Sequence, residues 1–81
     1  MTNRVSVDVP YNKAVKLTKT DDVNIANAPC RALWCGTPGS ANLVDAKGNV
    51  CALFPLVEGL NPISVLQVET GGDADDIWAL F

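Results

Sequence analysis

The chain contains no histidine. That absence removes Ser/His/Asp and Cys/His nucleophilic catalysis, and with them the commonest zinc sites. Basic residues are few, six Lys and Arg against nine Asp and Glu, and they are scattered. A net charge of −3 without a Lys/Arg cluster has nothing with which to displace phosphate counterions, so a nucleic-acid partner is not expected. No apolar run approaches the eighteen or so residues of a membrane span, and the opening MTNRVSVDVP lacks the apolar core of a signal peptide. A membrane partner is therefore not expected, and synthesis and use in the cytosol, or release from it by lysis, is. No stretch carries a helical apolar stripe.

Three cysteines, Cys30, Cys35 and Cys51, are an odd number that does not resemble a disulfide framework. In an extended CRALWC, Cys30 and Cys35 would lie about 16 Å apart on opposite faces, too far to bridge. A Cys35–Cys51 cross-strand bridge is sterically open, but small buried hydrophobes are the expected role.

What is present is apolar mass: 48% hydrophobic residues and 19% charged ones in an 81-residue chain. So short a chain buries only about 60–65% of the surface exposed by its unfolded form. Its own core is therefore thin, and apolar surface is left over for a partner, which points to an oligomer. The apolar content is concentrated at the end, GGDADDIWALF, where Ile77, Trp78, Ala79, Leu80 and Phe81 follow the acids. Loose chain ends fray, and an apolar one in water is a sticky patch. This segment is expected to be an inserted strand or part of an interface. With Ile77, Ala79 and Phe81 on one face and Trp78 and Leu80 on the other, it is apolar on both sides, as a strand inside a sheet or against a partner would be. The acids before it favour a helix start, but too few residues follow for a helix to hold.

Strand and turn signals alternate along the rest. RVSVDVP sets Val5, Val7 and Val9 against Ser6 and Asp8, the period of a half-buried strand, and Pro10 ends it. Short strands are expected around Ala14 to Leu17 and Val23 to Ile25, with turns at Asp21-Asp22 and Asn27. CRALWC reads as a compact strand cut by GTPGS. NLVD and VCALF flank AKGN, where Gly48 supplies the positive φ of a hairpin turn. A loop with Gly59 and Pro62 precedes ISVLQVET, read as the longest strand. Gly36, Gly39, Gly48 and Gly59 are all taken as structural turn positions.

Strands recurring every eight to twelve residues indicate an all-β fold, a small antiparallel β-sandwich or barrel of about six to seven short strands with an N-terminal extended arm. Residues 1–26 read as the arm and first strands and 27–81 as the sandwich body, within a single domain. No cofactor is expected. The GTPG turn lacks the spacing and lysine of a phosphate loop. Asp73, Asp75 and Asp76 offer oxygen ligands to a hard cation, yet without EF-hand spacing they read as a solvated loop, and no metal is assigned. Their use as paired carboxylates on a glycan has no pocket signal behind it. Trp34 and Trp78 suit the core or an interface better than a sugar platform. No catalytic residue is assigned and the chain is not expected to be an enzyme.

The C-terminal half carries a resemblance. Arg31-Ala32-Leu33-Trp34-Cys35-Gly36-Thr37, Gly39, Leu43, the Gly48 turn, Pro55, Gly59, Pro62-Ile63 and the closing Ala74-x-Asp76-Ile77-x-Ala79-Leu80-Phe81 resemble the head-spike base proteins of gene transfer agents and related tailed bacteriophages. In that family the strand typically reads RALYVGTGG and the chain ends close to ASDIVALW. The resemblance covers about residues 28–81; Trp34-Cys35 departs from the usual Tyr-Val, and Pro38 interrupts the glycine turn. It implies a β-rich viral structural protein of the virion, on the capsid exterior after synthesis in the host cytoplasm. Its copies would form a homo-oligomer, a pentamer in preference to a trimer, as a ring on capsid vertices. The implied partners are the major capsid protein and a fibre or spike protein. A capsid decoration (cement) protein forming trimers on three-fold sites, and a receptor- or glycan-binding module, are the alternatives. Val5, Val7, Val9, Trp34, Ile77, Trp78, Leu80 and Phe81 are the residues expected at the subunit or capsid interface, with RVSVDVP available for strand addition.

Overall fold

The computed structural model describes residues 11–81. The expected strand over Val5, Val7 and Val9, and its part in an interface, lie outside the described residues.

Among the described residues seven strands follow one another: β1 (Ala14–Lys16), β2 (Ala32–Thr37), β3 (Gly39–Asp45), β4 (Val50–Leu56), β5 (Gly59–Asn61), β6 (Val65–Glu69) and β7 (Asp75–Leu80). There is no helix among the described residues. The strands form two antiparallel sheets, one ordered β1-β7-β2-β5 and the other β4-β3-β6. The arrangement is a small sandwich, and of the two expected architectures the closed barrel is set aside.

Alternation builds the core. In β2, Leu33 and Cys35 turn inward, and in the neighbouring β7 so do Ile77 and Ala79. They meet Ala41 and Leu43 of β3, Leu56 of β4, and Val65 and Val68 of β6. Leu33, Leu43 and Val65 have no exposed surface, and each such side chain stabilises the fold by about 1.5–3 kcal/mol. The terminal segment is indeed an inserted strand: β7 lies between β1 and β2, with Val15 and Leu33 both opposite Ala79.

Several expectations need correction. The strand does end within GTPGS, but the break is a single residue: Pro38 alone separates β2 from β3, which belong to different sheets. The glycines and proline there mark a corner rather than a reversal. Gly39 lets this corner form, because a Cβ would stand 2.8 Å from the Ala74 nitrogen, whose N–H donates to the Ser40 carbonyl at 2.9 Å. The longest strands are β3 and β4, at seven residues each, whereas β6 has five. The start of ISVLQVET is taken up by a turn in which the Ile63 N–H donates to the Asn61 carbonyl and the Ser64 hydroxyl to that of Cys30.

Residues 23–25 are not a strand. They run along β6 instead, tied by Ile25 N–H to the Leu66 carbonyl, with Thr20 N–H to Val68 nearby. Positive φ at Asp22 and Asn27 breaks the segment into the expected turns. The described part of the segment read as arm and first strands thus belongs to the sandwich body, since β1 pairs with β7. Cys30 precedes β2 and so escapes its alternation; both it and Cys35 enter the core. Cys51 stands on β4 of the other sheet, only partly buried, and all three thiols are free.

Candidate functional site

The register of the four-stranded sheet aligns one rung across all its strands: Lys16 of β1 opposite Trp78 of β7, Trp78 opposite Trp34 of β2, and Trp34 opposite Leu60 of β5. Directly opposed residues project on the same face. Because Leu33 and Cys35 face the core, the alternation in β2 turns Trp34 outward. Trp34 keeps 49% of its surface exposed and Leu60 43%. Trp78 is partly buried.

A polar bracket fixes one end of this rung. The Trp78 Nε1–H donates to Asp76 Oδ1 at 3.0 Å, and the Lys16 ammonium lies 3.6 Å from the same oxygen. Asp76 has φ 53°, a left-handed conformation that Asp tolerates better than most residues. Its carboxylate occupies the space over Gly36, where any Cβ would collide with it. Gly36 is therefore not a turn residue, as expected from sequence, but a strand residue kept small by a neighbouring side chain. Gly48, at φ 87° with open space around it, does serve the β3–β4 turn. Gly39 and Gly59 begin β3 and β5.

A second apolar surface lies on the other sheet. β4 is an edge strand whose sequence, VCALFPL, carries no charge. Val50 is 72% exposed and Leu53 62%, and Val57 just beyond the strand is also exposed. Leu53 has φ 52°, which costs an ordinary residue about 1–2 kcal/mol. It sits where the β3–β4 register shifts, and its N–H donates to Asn42 Oδ1 at 2.9 Å. Asn42 also donates to the Thr70 carbonyl, so one side chain spans from β4 past β3 toward the end of β6. Beside β4, a hollow of about 290 Å³ is lined by Phe54, Pro55, Val57, Leu60 and Ile63 among others. Its floor is held by Asn61, buried at 5% exposure, which accepts from the Val57 N–H and donates to the Val57 and Gly59 carbonyls.

Of the residues expected at an interface, the structure leaves Trp34 open and Trp78 partly open on one face. Ile77 is a correction: at 2% exposure it belongs to the subunit's own core, having drawn the inward parity of β7. Leu80 is buried as well, outside the main core cluster and opposite Ala32 and Ala14. Phe81 packs against the core and donates its N–H to the Lys13 carbonyl. Sequence reasoning missed Leu60, Val50, Leu53 and Val57. For Val50 and Leu53 the lack of any charge in VCALFPL was the available signal; Val57 and Leu60 flank Glu58-Gly59 and had none.

Among the described residues no group of His, Cys, Asp or Glu is arranged to hold a metal. Asp45 instead caps its own hairpin, accepting from the N–H groups of Lys47 and Asn49, and the Asn49 N–H above all holds its carboxyl below the usual range. Asp21 is lowered chiefly by the N–H of Thr70, with the Thr70 hydroxyl adding to it. Burial pushes the thiols of Cys30 and Cys35 up. No protein-family model, curated protein or solved structure matches this chain.

Proposed function

We propose that the chain is a structural subunit of a virion, of the kind the head-spike base resemblance implies. Copies close into a homo-oligomeric ring, a pentamer in preference to a trimer, on the capsid exterior at its vertices. The ring contacts the major capsid protein and anchors a fibre or spike. One observation carries the reading: a small subunit exposes Trp34 and Leu60 on one sheet face and Val50, Leu53 and Val57 along an uncharged edge. Isolated exposed hydrophobes are ordinary, but two such groups on so small a body are surface that a neighbour would cover. Covering one large side chain contributes about 1.5–3 kcal/mol, before the cost of association is subtracted. Closure also hides edge strands that would otherwise template aggregation.

Light scattering coupled to chromatography tests this. A pentamer mass is expected; a trimer mass moves the chain to the cement-type alternative on three-fold sites; a monomer at working concentrations overturns both. The half-exposed indole of Trp34 also keeps a glycan-binding reading in view, since a stacking platform needs an open ring face. Glycan titration that shifts tryptophan fluorescence would favour it, and a flat titration dismisses it.

A further inference from the structure

We propose that the outer edge of β4 receives the N-terminal segment of a second copy as an added strand. The proposal rests on the homo-oligomer reading and names its joint.

Three observations lead to it. First, β4 is an open edge. It ends the order β4-β3-β6, and among the described residues no backbone group pairs with it on its outer side. Edges are commonly blunted by charge, proline or a bulge; this one carries Pro55 and the bulge at Leu53 but no charge over its seven residues, of which Val50, Ala52, Leu53 and Pro55 are exposed. The β6 edge, by contrast, is occupied by the 20–25 segment through the Thr20 and Ile25 N–H groups.

Second, the described part of the chain begins on the opposite flank, with residues 1–10 preceding it. The 20–25 segment joins the β1 side of one sheet to β6 of the other, whereas β4 passes directly into β5. The sandwich therefore has a β1/β6 flank and a β4/β5 flank. Asn12, two residues beyond the 1–10 segment, lies on the first, where its N–H donates to the Phe81 carbonyl at 2.6 Å. Ten residues span up to about 33–36 Å when extended. A donor on one flank and an acceptor on the other make a head-to-tail contact, which closes into a ring when the rotation allows.

Third, the chemistry matches. RVSVDVP puts Val5, Val7 and Val9 on one side at strand spacing, with Ser6 and Asp8 on the other. A strand added to β4 lays one of its faces beside the apolar hollow of Phe54, Val57, Leu60 and Ile63. Backbone hydrogen bonds supply affinity, and the valines supply register.

The test uses the full chain. Native mass spectrometry is expected to give a closed oligomer for the unaltered protein. The double variant Val50→Lys/Ala52→Lys, altered only at exposed edge positions, is expected to lose the oligomer while its far-ultraviolet circular dichroism stays the same. Removal of residues 1–10 is expected to do likewise. As a second measurement, a Val7→Cys chain and an Ala52→Cys chain, both carrying Cys51→Ala, are mixed and treated with a bis-maleimide whose spacer bridges neighbouring strands from either face; a link joining the two different chains is expected. An oligomer that survives either the edge lysines or the deletion overturns strand addition and leaves the ring reading standing. A link confined within single chains of a Val7→Cys/Ala52→Cys variant, or no link between the two different chains, also overturns it. A monomeric unaltered protein overturns both proposals together.

Discussion

Asn61 shows how much one polar side chain can organise. Buried between β5 and the turn after β4, it satisfies the Val57 N–H and the carbonyls of Val57 and Gly59 with near-ideal bonds of 2.8 to 3.0 Å. Substitution by Ala would remove three hydrogen bonds at a part-buried site, each with a net worth of about 0.5–1.5 kcal/mol. Asn61→Ala is therefore expected to lower the urea midpoint with an unchanged slope. A stability within experimental error of the unaltered protein would contradict this account. The cysteines separate in the same way by position: Cys30 and Cys35 are buried with raised thiol pKa values, whereas Cys51 is partly open. Brief alkylation of the native protein at neutral pH, read by mass spectrometry, should modify Cys51 first. Equal labelling of all three would show that the core opens on that timescale. Nothing in the spacing of the three cysteines distinguishes them, because burial depends on which sheet each strand joins.

At the scale of elements, the hairpin and the β6 end are each held by an aspartate. Asp45 and Asp21 have folded-state pKa values below the ordinary 3.8, caused first by the N–H groups of Asn49 and Thr70 respectively. A carboxyl depressed on folding stabilises the protein above the unfolded value and loses that contribution as pH falls through the folded one. The melting temperature is thus expected to drop below about pH 4, and Asp21→Asn should flatten part of the drop. A profile identical to the parent's would remove Asp21 from the account. β4 offers the complementary case. Leu53 at φ 52° is both exposed and strained, so Leu53→Asn, which tolerates that conformation, should leave stability unchanged or slightly higher. Loss of more than about 1 kcal/mol in chemical denaturation would mean that the leucine contributes packing the monomer needs. The hairpin turn at Gly48 was legible from AKGN because turn chemistry is local. At Pro38 the sequence shows a turn but not that the turn is a corner between sheets, since the same residue types serve reversals and changes of sheet alike.

For the whole molecule, the dominant question is what covers the Trp34–Leu60 face and the β4 edge. If the ring reading holds, Trp34 becomes protected on assembly. In a Trp78→Phe variant, acrylamide quenching of the remaining indole is then expected to fall as concentration rises and oligomers form. Quenching independent of concentration would place Trp34 outside any subunit joint. Of the expected interface residues, Trp34 and Trp78 do share an outward rung, while Ile77 turned inward and Leu80 was covered within the subunit. The apolar segment 77–81 announced that it would be packed somewhere. Whether its cover was the subunit's own sheet or a neighbour's was not decidable from a strand apolar on both faces.

The amino-acid order by itself determined the secondary structure class and most strand positions, since alternation and turn residues act over a few residues along the chain. It also determined the chemistry that is missing, because a chain without histidine has no histidine at any site. Tertiary structure alone decided which strands became neighbours, and so which tryptophan faced water, which cysteine was sealed and which apolar edge stayed open. Pairing partners lie tens of residues apart, and a strand apolar on both faces does not say which face will be covered; only the register and the packing of two sheets settle that.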